Sequence, residues 1–75
     1  PVAVRDEAFF FRVIKGAFLL RRKTLSNSLS AALSGWDKAA IADAIAACGL
    51  PASVRGEALT LTEFAALTDA LAERK

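Results

Sequence analysis

Apolar residues recur at three- and four-residue steps along most of this chain, and each run opens on a side chain able to cap a helix. A helical period joined to helix-start chemistry leaves little room for a sheet. Asp6 suits the first N-cap, with Glu7 in the positive first turn. From there Phe10, Val13, Ile14, Ala17 and Phe18 predict a helix reaching about Arg22. Phe9, Phe11 and Leu20 widen its apolar arc, which marks it as the central and most buried helix. Thr24 opens a second helix with the stripe Leu25, Leu29 and Leu33, closed by Ser34-Gly35.

A third helix runs from Trp36 or Asp37 to Cys48, with Ile41, Ala44, Ile45 and Cys48 on its apolar face. Gly49 then stands where a left-handed C-cap residue is expected, and Pro51 follows. Residues 50–59 read as a loop that packs through Leu50, Val54 and Leu59. Thr60-Leu61-Thr62-Glu63 fits the capping box and opens a last helix carrying Phe64, Leu67 and Leu71. The expectation is an all-α fold, a compact bundle of four to five short helices.

Seventy-five residues make one domain. A chain this short buries only roughly 60–65% of the surface its unfolded form exposes, so its stability is marginal. The lone Cys48 excludes an intrachain disulfide, and in its Ala-rich run it reads as a small buried thiol. The chain has no methionine, so Pro1 reads as a cut end. Residues 1–5 read as a linker remnant, and 6–75 as the helical domain. Charges interrupt every apolar run before the roughly 20 residues of a membrane span. One cysteine and no secretion signal favour a cytoplasmic setting.

Most catalytic constellations are excluded. No histidine is available for base or triad work, and one cysteine cannot build a thiolate zinc site. The glycines at 16, 35, 49 and 56 are scattered singly, so there is no phosphate-cradling loop. This segment alone is expected to catalyse nothing and to bind neither cofactor nor metal.

Charge is the informative remainder. Residues 1–23 carry six basic and two acidic side chains (+4), residues 24–75 four basic and six acidic (−2). A field of one sign at one end attracts polyanions, although a cationic cluster can also be a solvated face. At about 100° per residue, Arg5, Arg12, Lys15, Arg22 and Lys23 fall within about 100° of one another if the first helix extends that far. Arg21 then projects to the opposite side, where an acid of the domain is an equally good partner. The candidate phosphate-contacting residues are Arg12, Lys15, Arg21, Arg22 and Lys23. The phenylalanines, at helical spacing in so small a domain, read as core rather than as base-stacking platforms.

The run Phe11, Ile14, Lys15, Ala17, Phe18, Arg21, Arg22, Lys23, Leu25, Asn27 and Leu29 resembles a pattern of the KsgA/RsmA-type small-subunit ribosomal RNA adenine dimethyltransferases. In that family it joins the first helices of the C-terminal domain; Ile14 stands in a valine position. Cys48-Gly49-Leu50, then Arg55, Glu57 and Leu59, and Thr62-Glu63-Phe64 with Leu67 extend the resemblance over nearly the whole chain. The resemblance implies a parent enzyme with an N-terminal Rossmann-like domain that binds S-adenosylmethionine. That parent dimethylates two neighbouring adenosines near the 3′ end of small-subunit rRNA. It implies for this domain a role in docking on the immature small ribosomal subunit, with its own methyltransferase domain as the other partner. Neither the cofactor loop nor the catalytic Asn/Asp-Leu-Pro-Tyr-type motif is in this chain.

Two other readings stay open. A helical protein-interaction module would carry the basic residues as a solvated face. A helix-turn-helix DNA binder would expose polar base-reading side chains beside its cations, whereas here the cations sit on the most aromatic helix.

Overall fold

The computed structural model describes residues 6–74. The linker reading of residues 1–5, the placement of Arg5 and the terminal Lys75 lie outside them. Four helices follow one another: α1 (Glu7–Ala17), α2 (Leu25–Ala32), α3 (Lys38–Ala47) and α4 (Leu61–Glu73), with a short 3₁₀ turn (Gly56–Ala58) before the last. The described residues contain no strand, so the all-α expectation holds.

The start signals act as their chemistry requires. The Asp6 carboxylate accepts from the Phe9 N–H at 3.0 Å, and the Thr24 hydroxyl accepts from the Asn27 N–H at 3.3 Å. Asp37 accepts from the Ala39 N–H at 3.0 Å. Thr60 and Glu63 form the reciprocal capping box, Glu63 N–H to Thr60 at 3.2 Å and Thr60 N–H to Glu63 at 2.8 Å. Each cap satisfies N–H groups that have no partner inside their own helix. Beyond α3, Gly49 takes φ 75°, the left-handed conformation that ends helices at least cost in glycine.

Each helix packs on its neighbour in sequence, and α4 closes back onto α1. Leu25, Leu29, Leu33, Ile41, Ile45, Leu67, Leu71 and Val13 fill the centre, all essentially inaccessible. These are the stripes read from the sequence, and their four-residue steps are why one face of each helix points inward.

The first helix departs from expectation in two ways. It ends at Ala17 rather than near Arg22. It is also not the most buried element. Phe9, Phe10, Val13, Gly16 and Ala17 are buried, but α4 buries Phe64, Ala65, Leu67, Thr68, Ala70 and Leu71. Phe11, Phe18 and Leu20, expected within or beside the apolar arc of α1, are exposed, as is Leu19. The core is therefore shared among four helices rather than wrapped around one.

Candidate nucleic-acid interface

The end of α1 decides where the cations stand. Were the helix to continue, the Leu20 N–H would donate to the Gly16 carbonyl four residues back. The hydroxyl of Ser28, on α2, occupies that link instead. It accepts from the Leu20 N–H at 3.0 Å and donates to the Gly16 carbonyl. Ser28 is fully buried, and both capacities of its hydroxyl are used. Phe18 and Leu19 close the helix with tight bonds to the carbonyls of Lys15 and Gly16, at 3.2 and 3.3 Å.

The chain then reverses. The Lys23 N–H donates to the Leu20 carbonyl at 2.9 Å, which places Arg21 and Arg22 at the corners of a four-residue turn. On the far side, the Leu25 N–H donates to the Val54 carbonyl at 2.8 Å, fastening the start of α2 to the loop before the 3₁₀ turn. The Arg21-Arg22-Lys23 tripeptide is thus held at both ends by hydrogen bonds to distant elements. Close packing of α1 on α2 is part of the same arrangement: a Cβ at Gly16 would lie 2.8 Å from the Ala32 Cβ, so only glycine permits this approach.

All five candidate cations are exposed, and four of them divide between two clefts at the end of α1. Arg12 and Lys15 line a groove between α1 and α2 with Gly16, Leu19, Ala31 and Ala32. The Arg12 guanidinium lies 5.8 Å from the centre of the Phe9 ring, within cation–π range, and Phe9 stacks on Trp36 with centroids 5.7 Å apart. Arg21 and Lys23 line a second, smaller cleft with Ala17, Phe18, Gly56 and Glu57. Arg22 lines neither.

This corrects the helical projection. Arg21 is not on the side opposite Lys23; the two share a cleft, because no helix passes through residues 21–23. The acid near Arg21 is Glu57, which lines the same cleft. Helical periodicity alone does not reveal the 3₁₀ turn and Phe18 as parts of this surface. The one available signal is Ser28, a polar residue three positions after Leu25 and beside Leu29, and therefore inside a buried sector.

Elsewhere, burial pushes the Cys48 thiol up from its ordinary value, with Arg74 opposing in part, so it stays protonated at neutral pH. Among the described residues there is no cluster of metal-ligating side chains. No described helix is long and apolar enough to cross a membrane.

The fold and this surface define a class: a small helical domain that presents cations on a pinned turn. Comparison with known proteins is more particular. Ribosomal RNA small subunit methyltransferase A of Geobacter metallireducens is 50% identical over 70 residues, 93% of this chain and 26% of that protein. The protein of the same name from Streptococcus pneumoniae is 51% identical over 72 residues, 93% of this chain and 25% of its own length. The chain spans about a quarter of the length of the curated relatives it matches. No family model matches it. The chain is therefore homologous to one portion of the proteins named ribosomal RNA small subunit methyltransferase A, in agreement with the resemblance read from its residues.

Proposed function

We propose that this chain is the helical C-terminal domain of a cytoplasmic, S-adenosylmethionine-dependent small-subunit rRNA adenine dimethyltransferase, and that it docks the enzyme on the immature small ribosomal subunit. Residues 1–5 are the link to the N-terminal catalytic domain, which methylates two adjacent adenosines near the 3′ end of the rRNA. The observation that carries the docking role is the turn at residues 20–23, fastened by Ser28 and followed by the bond to Val54, which holds Arg21, Arg22 and Lys23 out on the surface.

A rigid cationic turn neutralises phosphates without first losing backbone entropy, which suits recognition of structured RNA by shape and backbone. Arg21 and Arg22 hold phosphate oxygens through paired N–H groups; Lys15 and Lys23 act as point charges. The methyl donor is assigned to the rest of the parent protein, because this chain carries no glycine-rich cofactor loop.

The test is RNA affinity against salt. Non-specific binding on the order of 10⁻⁴–10⁻⁶ M is expected near physiological salt, and each phosphate left without its cation lowers the slope of log K by roughly 0.7–0.9. A second reading, a protein-interaction module, draws on the exposure of Phe11 and Leu61, each 60% accessible. It requires no salt-dependent RNA affinity at all.

A further inference from the structure

We propose that the cleft between the end of α1 and the 3₁₀ turn holds one unpaired RNA nucleotide, its base stacked on Phe18 and its flanking phosphates on Arg21 and Lys23. This rests on the RNA-docking reading above and gives it a discrete subsite. An aromatic ring, two cations and one carboxylate, that of Glu57, line the same small cleft.

Phe18 has the properties of a platform. It is 43% exposed, so part of the ring is available. Its ring also packs on buried Phe64, with centroids 6.1 Å apart and planes inclined at 50°. A ring already held by the core loses little freedom when a base stacks on it. Stacking on aromatic side chains is how proteins capture splayed-out bases, because every base has a π-face. Arg21 and Lys23 follow Phe18 closely in sequence on the fastened turn, where they reach the phosphates on either side of the stacked base.

Glu57 sets this cleft apart from a surface that reads only backbone. A carboxylate beside two phosphate-binding cations weakens them toward phosphate by like-charge repulsion. It is an acceptor only, and the edge groups of RNA that donate to a carboxylate include the exocyclic amines of cytosine, adenine and guanine. In this subsite Glu57 meets the base edge; uracil offers it only an N–H flanked by two carbonyl oxygens that repel a carboxylate, so the subsite favours a base carrying an amine. Gly56 keeps Glu57 near the platform. A Cβ at that position would lie 2.8 Å from the Ala17 carbonyl oxygen and push the 3₁₀ turn off α1.

Fluorescence anisotropy at low salt, with short labelled oligocytidine and oligouridine of equal length, tests the subsite on this chain. The two RNAs carry the same charge and are both pyrimidine. They differ at position 4, an amine in cytosine and a carbonyl in uracil, and at N3, an acceptor in cytosine and an N–H in uracil. The Glu57→Gln variant separates recognition of that edge from any difference in stacking. The expected result is tighter binding of oligocytidine. Phe18→Leu should weaken both RNAs by at least about fivefold, whereas Phe18→Tyr keeps both the platform and the affinity. Glu57→Gln, at an exposed position, should raise affinity for both RNAs and erase the preference for cytidine. Circular dichroism establishes that each variant is folded. If Phe18→Leu binds like the wild type and the two RNAs bind equally while Arg21→Glu weakens both, contact is through the backbone alone. The subsite is then refuted and the docking reading stands. Equal losses in Phe18→Leu and Phe18→Tyr would assign Phe18 to packing and refute the subsite as well. Binding to neither RNA would refute the docking reading and the subsite together.

Discussion

Replacing Ser28 by alanine removes one oxygen from the centre of the domain, and with it the link that stands in for the next hydrogen bond of α1. The alanine fits the space without strain. The loss is two hydrogen bonds, from the Leu20 N–H and to the Gly16 carbonyl. The carbonyl keeps the Leu19 N–H at 3.3 Å, so the amide of Leu20 is the group left without a partner. A net loss of about 0.5–1.5 kcal/mol per hydrogen bond, or about 1–3 kcal/mol where a group is left buried and unpaired, gives about 1–3 kcal/mol in all. For a domain of this size each kcal/mol shifts the melting temperature by about 4–8 °C. Thermal unfolding followed by circular dichroism measures the shift, and amide exchange at Leu20 reports the local consequence. Leu20 should lose protection while the amides of α4 fall only with global stability. An unchanged melting temperature together with increased helicity would mean that α1 simply continues through Leu20, and that Ser28 is not what ends it.

Gly16→Ala improves local helix propensity by about 1 kcal/mol, yet the new Cβ meets Ala32 at 2.8 Å. Overpacking of about 1–3 kcal/mol should win, so urea unfolding should show net destabilisation. Thr60→Ala breaks the capping box before α4 and should cost about 1 kcal/mol, read as a lower urea midpoint with unchanged slope. Cys48 should react with iodoacetamide more slowly than a free thiol at mildly alkaline pH, and Arg74→Ala should slow it further, because Arg74 is the group that lowers its pKa. Because folding raises this thiol's pKa, its contribution to stability is fully present below the pKa of the unfolded thiol and is lost as pH rises through the folded value. Cys48→Ala should flatten that alkaline decline.

The helix starts were legible because caps are local chemistry. Asp6, Thr24 and the Thr60–Glu63 pair bond to backbone groups three positions away. The core stripes were legible for the same reason, since Leu25, Leu29 and Leu33 carry the helical period in their own spacing. The end of α1 was not. Residues 18–22 continue an apolar and cationic pattern that a helix would also show, and what stops the helix is a hydroxyl eight residues beyond Leu20. The candidate site inherited that error. Its residue types followed from the charge split, but the pairing of Arg21 with Lys23 depended on the direction of the chain after Ala17. Glu57 joins them only through the packing of the 3₁₀ turn on α1, which has no local signature.

The docking role is tested most directly in the parent methyltransferase, by following methylation of immature small ribosomal subunits as a function of salt. The variant is Arg22→Glu with Lys23→Glu, two exposed positions on the turn. Circular dichroism and cofactor binding first establish that it is folded and loaded. Neutralised phosphates give binding its salt slope, and the domain adds its affinity to that of the catalytic domain through effective concentration. The account predicts weaker docking, slower methylation at subsaturating subunits and a shallower salt slope, by roughly 0.7–0.9 for each phosphate no longer neutralised. Docking and methylation equal to the wild type, with the same salt dependence, would contradict it and leave the cationic turn a solvated face.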